Sequence, residues 1–178
     1  LTTFILSVCI FRWLLPTLKP GVYKININKM TLCWYMHLAL NRSIKVSGFR
    51  YLLNIFYLSK YLIYRALGSN IAFGVNTSMD YVFVDLPLIE IGRGCTFGEN
   101  VQISCHVLSG DRLLLKPVKI GENVFVGMNV TIGPGSVIGA KSWIGSHNII
   151  LGDHIEESSH INDFEWFKGN PERMKDRN

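Results

Sequence analysis

Histidine and cysteine side chains carry most of the proton-transfer and nucleophilic chemistry on offer in this 178-residue chain, which has five of the first and four of the second. Imidazole takes up and returns a proton near neutral pH, and His106 is the histidine best placed to do so. It stands just before an 11-residue stretch, 109–119, that interrupts an otherwise regular pattern. Such interruptions protrude from a scaffold and are where reactive groups gather. A carboxylate would orient the ring: Asp111, five residues on in the same stretch, ranks first, with Glu90 the alternative. A ring so held is a general base toward a hydroxyl or an amine. Cys105 adjoins His106, but neighbours along a strand point to opposite faces, which argues against a Cys–His nucleophile. Cys9, Cys33, Cys95 and Cys105 form no CxxC pair and no disulfide framework. Cys9 and Cys33 lie in apolar runs and read as small buried hydrophobes, and the set favours a reducing compartment.

What positions His106 is a repeat. From Ile91 the chain reads IGRGCT, FGENVQ, ISCHVL, breaks, and resumes as IGENVF, VGMNVT, IGPGSV, IGAKSW, IGSHNI and ILGDHI. Seven of these nine units carry Gly in the second place, Ser104 and Leu151 being the exceptions. The fifth place is small or β-branched in most: Cys95, Val101, Val107, Val124, Val130, Ser136 and Ser142. An apolar period of six excludes an α-helix and predicts a stack of short parallel strands. The first residue points into the core, Gly at the second relieves crowding, and the small fifth residue lets the chain turn. Three units, the break and six more suit a coil with three sides. A unit from Ile71, IAFGVN, opens an earlier irregular coil, since 71 to 91 is one 18-residue turn plus two.

The length suits one compact domain, or a small domain with an appendage. The chain is 48% apolar and 17% charged, with mean hydropathy +0.23. Ordinary soluble domains are about 25% charged, so charge is scarce here and disorder is excluded for most of the length. The net charge of +5 hides a split: residues 1–70 hold nine Lys and Arg and no acid, and the remainder holds nine basic residues and all thirteen acids. A basic, acid-free segment suits an anionic partner. No nucleic-acid motif is present, and the basic residues are spread among aliphatic runs. Residues 1–15 are nearly all apolar, broken by Arg12 and ended by Pro16, but fall short of the roughly 20 residues of a membrane span. No A-x-A-like cleavage site follows them, which sets a secretory signal aside. Residues 31–40 are also too short. Residues 49–67 read as an amphipathic helix of the interfacial kind. Arg50, Asn54 and Arg65 share its polar face, Lys60 lies to the other side, and Leu52, Ile55, Leu62 and Ala66 fill the rest. The expectation is a membrane-associated helical region over 1–70 and a β-helix with a C-terminal tail over 71–178.

The hexads resemble those of the hexapeptide-repeat acyltransferases, trimeric left-handed parallel β-helices with three hexads per turn, which break the usual right-handed crossover rule. The run KPVKIGENVFVGMNVTIGPGSVIG (116–139) and the ending WFKGNPERM (166–174) are similar to the distal coils and closing segment of acetyl-CoA-dependent members. Upstream, FRWLL…LKPGVY and then YRALGSNIAFGVNT…LIEIGRGCTFGENVQISCH are similar to a membrane-bound β-helix region. That region closes the polylysine-synthetase-type nonribosomal peptide synthetases. Ala72, where Gly is expected, and Glu172, where the closing motif has a small residue, depart from the pattern.

The resemblance implies a mainly β fold preceded by hydrophobic and amphipathic membrane helices. It implies an acyltransferase that moves an acyl group from coenzyme A (acetyl-CoA included) or a carrier-bound thioester to a small-molecule or peptide hydroxyl or amine. His106 occupies the place of the family's active-site histidine. The pantetheine would lie between neighbouring β-helices of a homotrimer, facing backbone amides near Gly127 and Gly145. Lys168 and Arg173 are candidates for its phosphates, and Trp143 and Trp166 are packing residues or substrate walls, packing being favoured. The β-helix would sit on the cytoplasmic side of a membrane, with no nucleic acid as partner. One rival reading is a non-catalytic module for trimerisation or membrane organisation. Another is a zinc carbonic anhydrase, whose ligands need a closely spaced histidine pair beyond the first. After His106 the next histidine is His147, 41 residues on, and His154 and His160 fall in the degenerate tail, so no metal is expected.

Overall fold

The computed structural model describes residues 2–26, 28–46 and 57–161. The hexads coil into a three-sided parallel β-solenoid of about five turns. One side stacks β2 (Asn70–Ile71), β5 (Ile89–Ile91), β10 (Val118–Ile120), β13 (Val137–Ile138) and β16 (His154–Ile155). The second stacks β3 (Asn76–Thr77), β6 (Thr96–Phe97), β11 (Phe125–Val126), β14 (Trp143–Ile144) and β17 (His160–Ile161). The third stacks β4 (Tyr81–Phe83), β7 (Val101–Ile103), β12 (Thr131–Ile132) and β15 (Ile149–Ile150).

The first place of each hexad fills the core: Ile91, Phe97, Ile103, Ile120, Val126, Ile132, Ile138, Ile144 and Ile150 are all buried. The second-place glycines allow coils to touch backbone to backbone. A Cβ on Gly121 would stand 2.5 Å from the Ala140 nitrogen, and one on Gly139 2.4 Å from that of Glu157. The turn at each corner differs from expectation. It is made at the fourth place, where Asn100, Asn123, Asn129, Lys141 and His147 take left-handed φ of 55 to 62°. Asparagine tolerates that region better than most residues. The small fifth residue is buried just inside the corner instead, as at Cys95, Val101, Val124, Val130, Ser136 and Ser142. Val107 breaks the rule and is exposed, because the third hexad leaves the coil after Cys105.

Two irregularities fall at one corner, between the third side and the first. In the regular coil the paired position Val137 comes five places after Ile132. In the first coil the corresponding step, Phe83 to Glu90, is two residues longer. It holds Asp85 in the left-handed conformation and a 3-10 turn, Leu86–Leu88. In the second coil the stretch is the long interruption, which forms an antiparallel hairpin of β8 (His106–Ser109) and β9 (Arg112–Leu115). A strand from the start of the chain, β1 (Gly21–Lys24), completes this sheet by pairing antiparallel with β9.

The helices form a collar around that corner. α1 (Thr2–Leu14) ends before Pro16, and α2 (Lys29–Val46) begins at Asn28, whose Oδ1 accepts the Thr31 N–H at 2.8 Å, an N-cap bond. α3 (Tyr57–Ala66) leads into the first coil. Leu18, Cys33, Trp34, Ile63 and Leu67 belong to the same buried cluster as the solenoid core, so the change of charge near residue 70 is not a break in packing. Among the described residues no helix is long and apolar enough to cross a membrane, and the expected hydrophobic and amphipathic membrane helices find no support there. Of the amphipathic stretch 49–67, residues 49–56 lie outside the described residues, Arg50, Leu52, Asn54 and Ile55 among them. In the rest Lys60 is not on a solvated face: it is buried, and its Nζ donates to Thr77 Oγ1 at 3.0 Å.

Candidate active site

Both irregular stretches contribute to one site. His106 opens the hairpin, and its Nδ1 lies 2.6 Å from Asp85 Oδ2. The Asp85 side chain is 0% exposed against 21% for His106. Burying a carboxylate is costly unless its lone pairs are occupied, and here they are. Oδ1 accepts from Trp34 Nε1 of α2 at 2.9 Å, and Oδ2 also accepts from the Cys105 N–H at 3.1 Å. An acceptor-only group facing Nδ1 places the ring proton there and leaves Nε2 with its lone pair. Among the described residues Nε2 has no hydrogen-bond partner.

Two further contacts fix the ring. Ser104 Oγ lies 3.2 Å from Nδ1 and donates to the His106 carbonyl at 3.2 Å. Ser104 is the residue that replaces glycine in its hexad, so the exception in the repeat has a use. The Trp34 ring meets the imidazole edge-on at 4.9 Å. His106 also lines a cavity of about 270 Å³ between α2, α3 and the third side of the solenoid. Leu38, Ile63 and Phe83 give it an apolar wall, and Asn41, Lys60 and Tyr64 bring polar atoms to it. Asn41 Nδ2 donates to the Phe83 carbonyl at 2.6 Å, tying α2 to the solenoid beside the cavity. Burial holds the Lys60 ammonium down to about 8.

The carboxylate expected to orient the ring is a different one. Asp111 sits at the tip of the hairpin, where its carboxylate is 3.8 Å from Lys24 Nζ and its carbonyl accepts the Ile25 N–H at 2.6 Å. The strands that separate it from His106 run the length of the hairpin. Glu90 is partly exposed and lies 3.7 Å from Lys119. Asp85 escaped sequence reasoning because it is 21 residues from His106 and lies in no hexad. The available signal was the two-residue excess between Ile71 and Ile91, which marks an inserted corner.

Gly127 and Gly145 follow strands of the second side and so lie at another corner. Their amides donate to the Ile144 and Ile161 carbonyls, at 2.8 and 2.9 Å, and are not free to meet a ligand as expected. Trp143 stacks on Phe125 at 4.0 Å between centroids, a packing contact across coils. Lys168, Arg173, Trp166 and Glu172 lie outside the described residues. Cys105 is fully buried, and desolvation, reinforced by the Asp85 charge, drives its thiol pKa up, so it is inert as a nucleophile. His37 is a packing histidine: its Nε2 lies 3.0 Å from the Pro16 carbonyl, and burial lowers its pKa. His147 is a corner residue, and His154 and His160 start strands on different sides. Among the described residues no three His, Cys, Asp or Glu are grouped to hold a metal ion.

A hexapeptide-repeat acetyltransferase from Vibrio cholerae superposes on the chain with a TM-score of 0.53 and 16% identity, over 71% of this chain and 85% of that one. A maltose O-acetyltransferase from Clostridium difficile 630 does so with a TM-score of 0.52 and 20% identity, over 80% of this chain and 84% of that one. The fold is that of the hexapeptide-repeat acetyltransferases. The solenoid is accordingly a left-handed β-helix. No protein-family model and no curated protein sequence matches the chain. The Vibrio protein has also been solved complexed with acetyl coenzyme A, at 17% identity over 68% of this chain and 82% of that one, with a TM-score of 0.45. Within the hexapeptide-repeat fold, His106 and Asp85 mark the corner at which this chain departs most from its own period.

Proposed function

We propose that the chain is an acyltransferase that moves an acyl group from a coenzyme A or carrier-bound thioester to a hydroxyl or amine, with His106 as general base. The observation that carries this reading is the buried Asp85 carboxylate 2.6 Å from Nδ1, with Nε2 left unpartnered among the described residues. The acceptor O–H or N–H gives its proton to Nε2 as its oxygen or nitrogen attacks the thioester carbonyl. The tetrahedral intermediate collapses, the C–S bond breaks, and the imidazolium returns the proton to the departing thiolate. Asp85 is a positioning residue. It fixes the tautomer and balances the charge the ring acquires, as a buried carboxylate does for other catalytic histidines.

The cavity beside His106 receives the acceptor, and its apolar wall suits an acceptor with an apolar body. The pantetheine of the donor lies between neighbouring β-helices of a homotrimer, as the family resemblance implies. Lys168 and Arg173, outside the described residues, are candidates to meet the donor phosphates.

His106→Ala tests this directly. Removing a general base costs about 10²- to 10⁴-fold in turnover, while mass and circular dichroism of the assembly stay as in the wild type. Turnover of an acyl-CoA with a panel of alcohols and amines is the measurement. A wild-type rate in the variant would remove the reading. Acyl-CoA binding without any His106-dependent turnover would favour a binding module instead.

A further inference from the structure

The first helix of the collar is built inside out. Of the α1 side chains that are described, Arg12 is the buried one, while Leu6, Ile10, Phe11, Trp13 and Leu14 are exposed, Trp13 at 85%. Arg12 is held inward by hydrogen bonds from Nε to the Leu67 carbonyl at 3.1 Å and from Nη1 to the Leu15 carbonyl at 3.3 Å. The Leu67 carbonyl lies at the C-terminal end of α3, where a cation is favoured by the helix dipole. The other two helices are mixed: α2 buries Thr31 and His37 beside Cys33 and Trp34 and exposes Leu32 and Tyr35, and α3 buries Lys60 beside Ile63 and exposes Leu58 and Leu62. A helix packed on a protein and facing water does the opposite of α1. Exposed apolar side chains on this scale mark a surface that meets something apolar.

Charge decides what that is. The first 70 residues carry nine basic side chains and no acidic one. Lys19, Lys29, Arg42 and Arg65 are exposed among them. A second copy of this face would bring like charge against like charge in a two-fold contact. An anionic bilayer presents the complementary sign together with an apolar interior. With no described helix long enough to cross, the collar lies along the surface, with Trp13 at the depth that tryptophan prefers. We propose that the outward face of α1, with α2 and α3 beside it, docks in the interface of an anionic lipid bilayer. The inference stands apart from the acyltransferase reading and does not need it.

The test uses the full chain and vesicles of phosphatidylcholine with or without about one-third phosphatidylserine. Cosedimentation is expected with the anionic vesicles and is weakened by salt. Brominated phosphatidylcholine should quench tryptophan emission in the wild type and much less in Trp13→Phe. Ile10→Glu combined with Leu14→Glu should reduce partitioning by at least about tenfold while leaving thermal unfolding unchanged, since both side chains are already exposed. Equal partitioning of wild type and double variant would overturn the proposal. So would absence of lipid binding with a self-association in light scattering that the same variant abolishes, which would make the face a contact between copies.

Discussion

The solenoid and the collar distribute burial differently with the same alphabet. In the solenoid every inward first place is apolar, and exposed Glu, Lys and Asn fill the outward places. In the collar Arg12, Lys60, Thr31 and His37 point in beside Trp34, Ile63 and Leu67, while Leu6, Ile10, Phe11, Trp13 and Leu62 point out. The solenoid satisfies most of its backbone by stacking coil on coil, and the buried polar side chains in its regular coils are short hydroxyls, Ser136 and Ser142, that donate to coil carbonyls. The collar helices end against the solenoid, and their last carbonyls and one coil hydroxyl need donors. Long basic side chains supply these and draw their charge inward. The difference teaches that a repeat writes its burial pattern in its own period, whereas a non-repeating cover takes its pattern from what it sits on.

The site lies on the seam between the two regions, and the largest expected effect is there. Asp85→Asn replaces the acceptor facing Nδ1 with an amide and removes the balancing charge. Turnover should fall by about 10²- to 10⁴-fold, more in kcat than in KM. A wild-type kcat would show that the seam serves packing alone.

The solenoid's own rule is tested by Gly121→Val. Its Cβ would stand 2.5 Å from a backbone nitrogen of the next coil, so coils must part, at a cost of about 1–3 kcal/mol seen as a lower denaturation midpoint. Unchanged stability would mean that glycine there is not a packing requirement.

The collar's inward-facing charge is tested by Lys60→Met. Burial lowers the Lys60 pKa to about 8 from an ordinary 10.5. Between these values the unfolded chain keeps a proton that the folded chain has released, so this group makes stability rise with pH across that window. Below about pH 8 both states hold the proton and its contribution is flat. The wild type minus Lys60→Met difference in unfolding free energy, measured from pH 7 to 10.5, should show that rise. A flat difference would mean the ammonium is not desolvated.

The smallest effect belongs to Asp111→Asn. The pair with Lys24 is exposed and 3.8 Å apart, a kind of contact worth under about 1 kcal/mol. Turnover should stay within about twofold, and a larger loss would return Asp111 to the site.

Most of the fold was legible because the hexads restate it nine times. His106 was legible because it stands where the restatement stops. Asp85 was not, since a carboxylate in a two-residue excess carries no periodic signal and its partner is a coil away. Asp111 attracted the choice through proximity along the chain, but five residues along a hairpin strand lead away from His106, out to the turn. The corner role of the fourth place could have been read from Asn100, Asn123, Asn129, Gly94 and Gly135, which share a tolerance of positive φ. The burial of Lys60 was not legible because a helical wheel knows only its own helix, and Thr77 belongs to another element.

The strand β1 bears on the order in which the molecule is made. Val22 pairs with Leu114, so β1 leaves the ribosome about 90 residues before its partner strand exists. Trp34 likewise precedes Asp85, and Asp85 precedes His106. The helices can meet the first coil earlier, through Asn41 and Phe83 and through Lys60 and Thr77, but β1 stays unpaired until the hairpin emerges. The reactive corner is completed in the same moment as that pairing, and a chain halted before residue 106 holds the carboxylate and its tryptophan with no imidazole to orient.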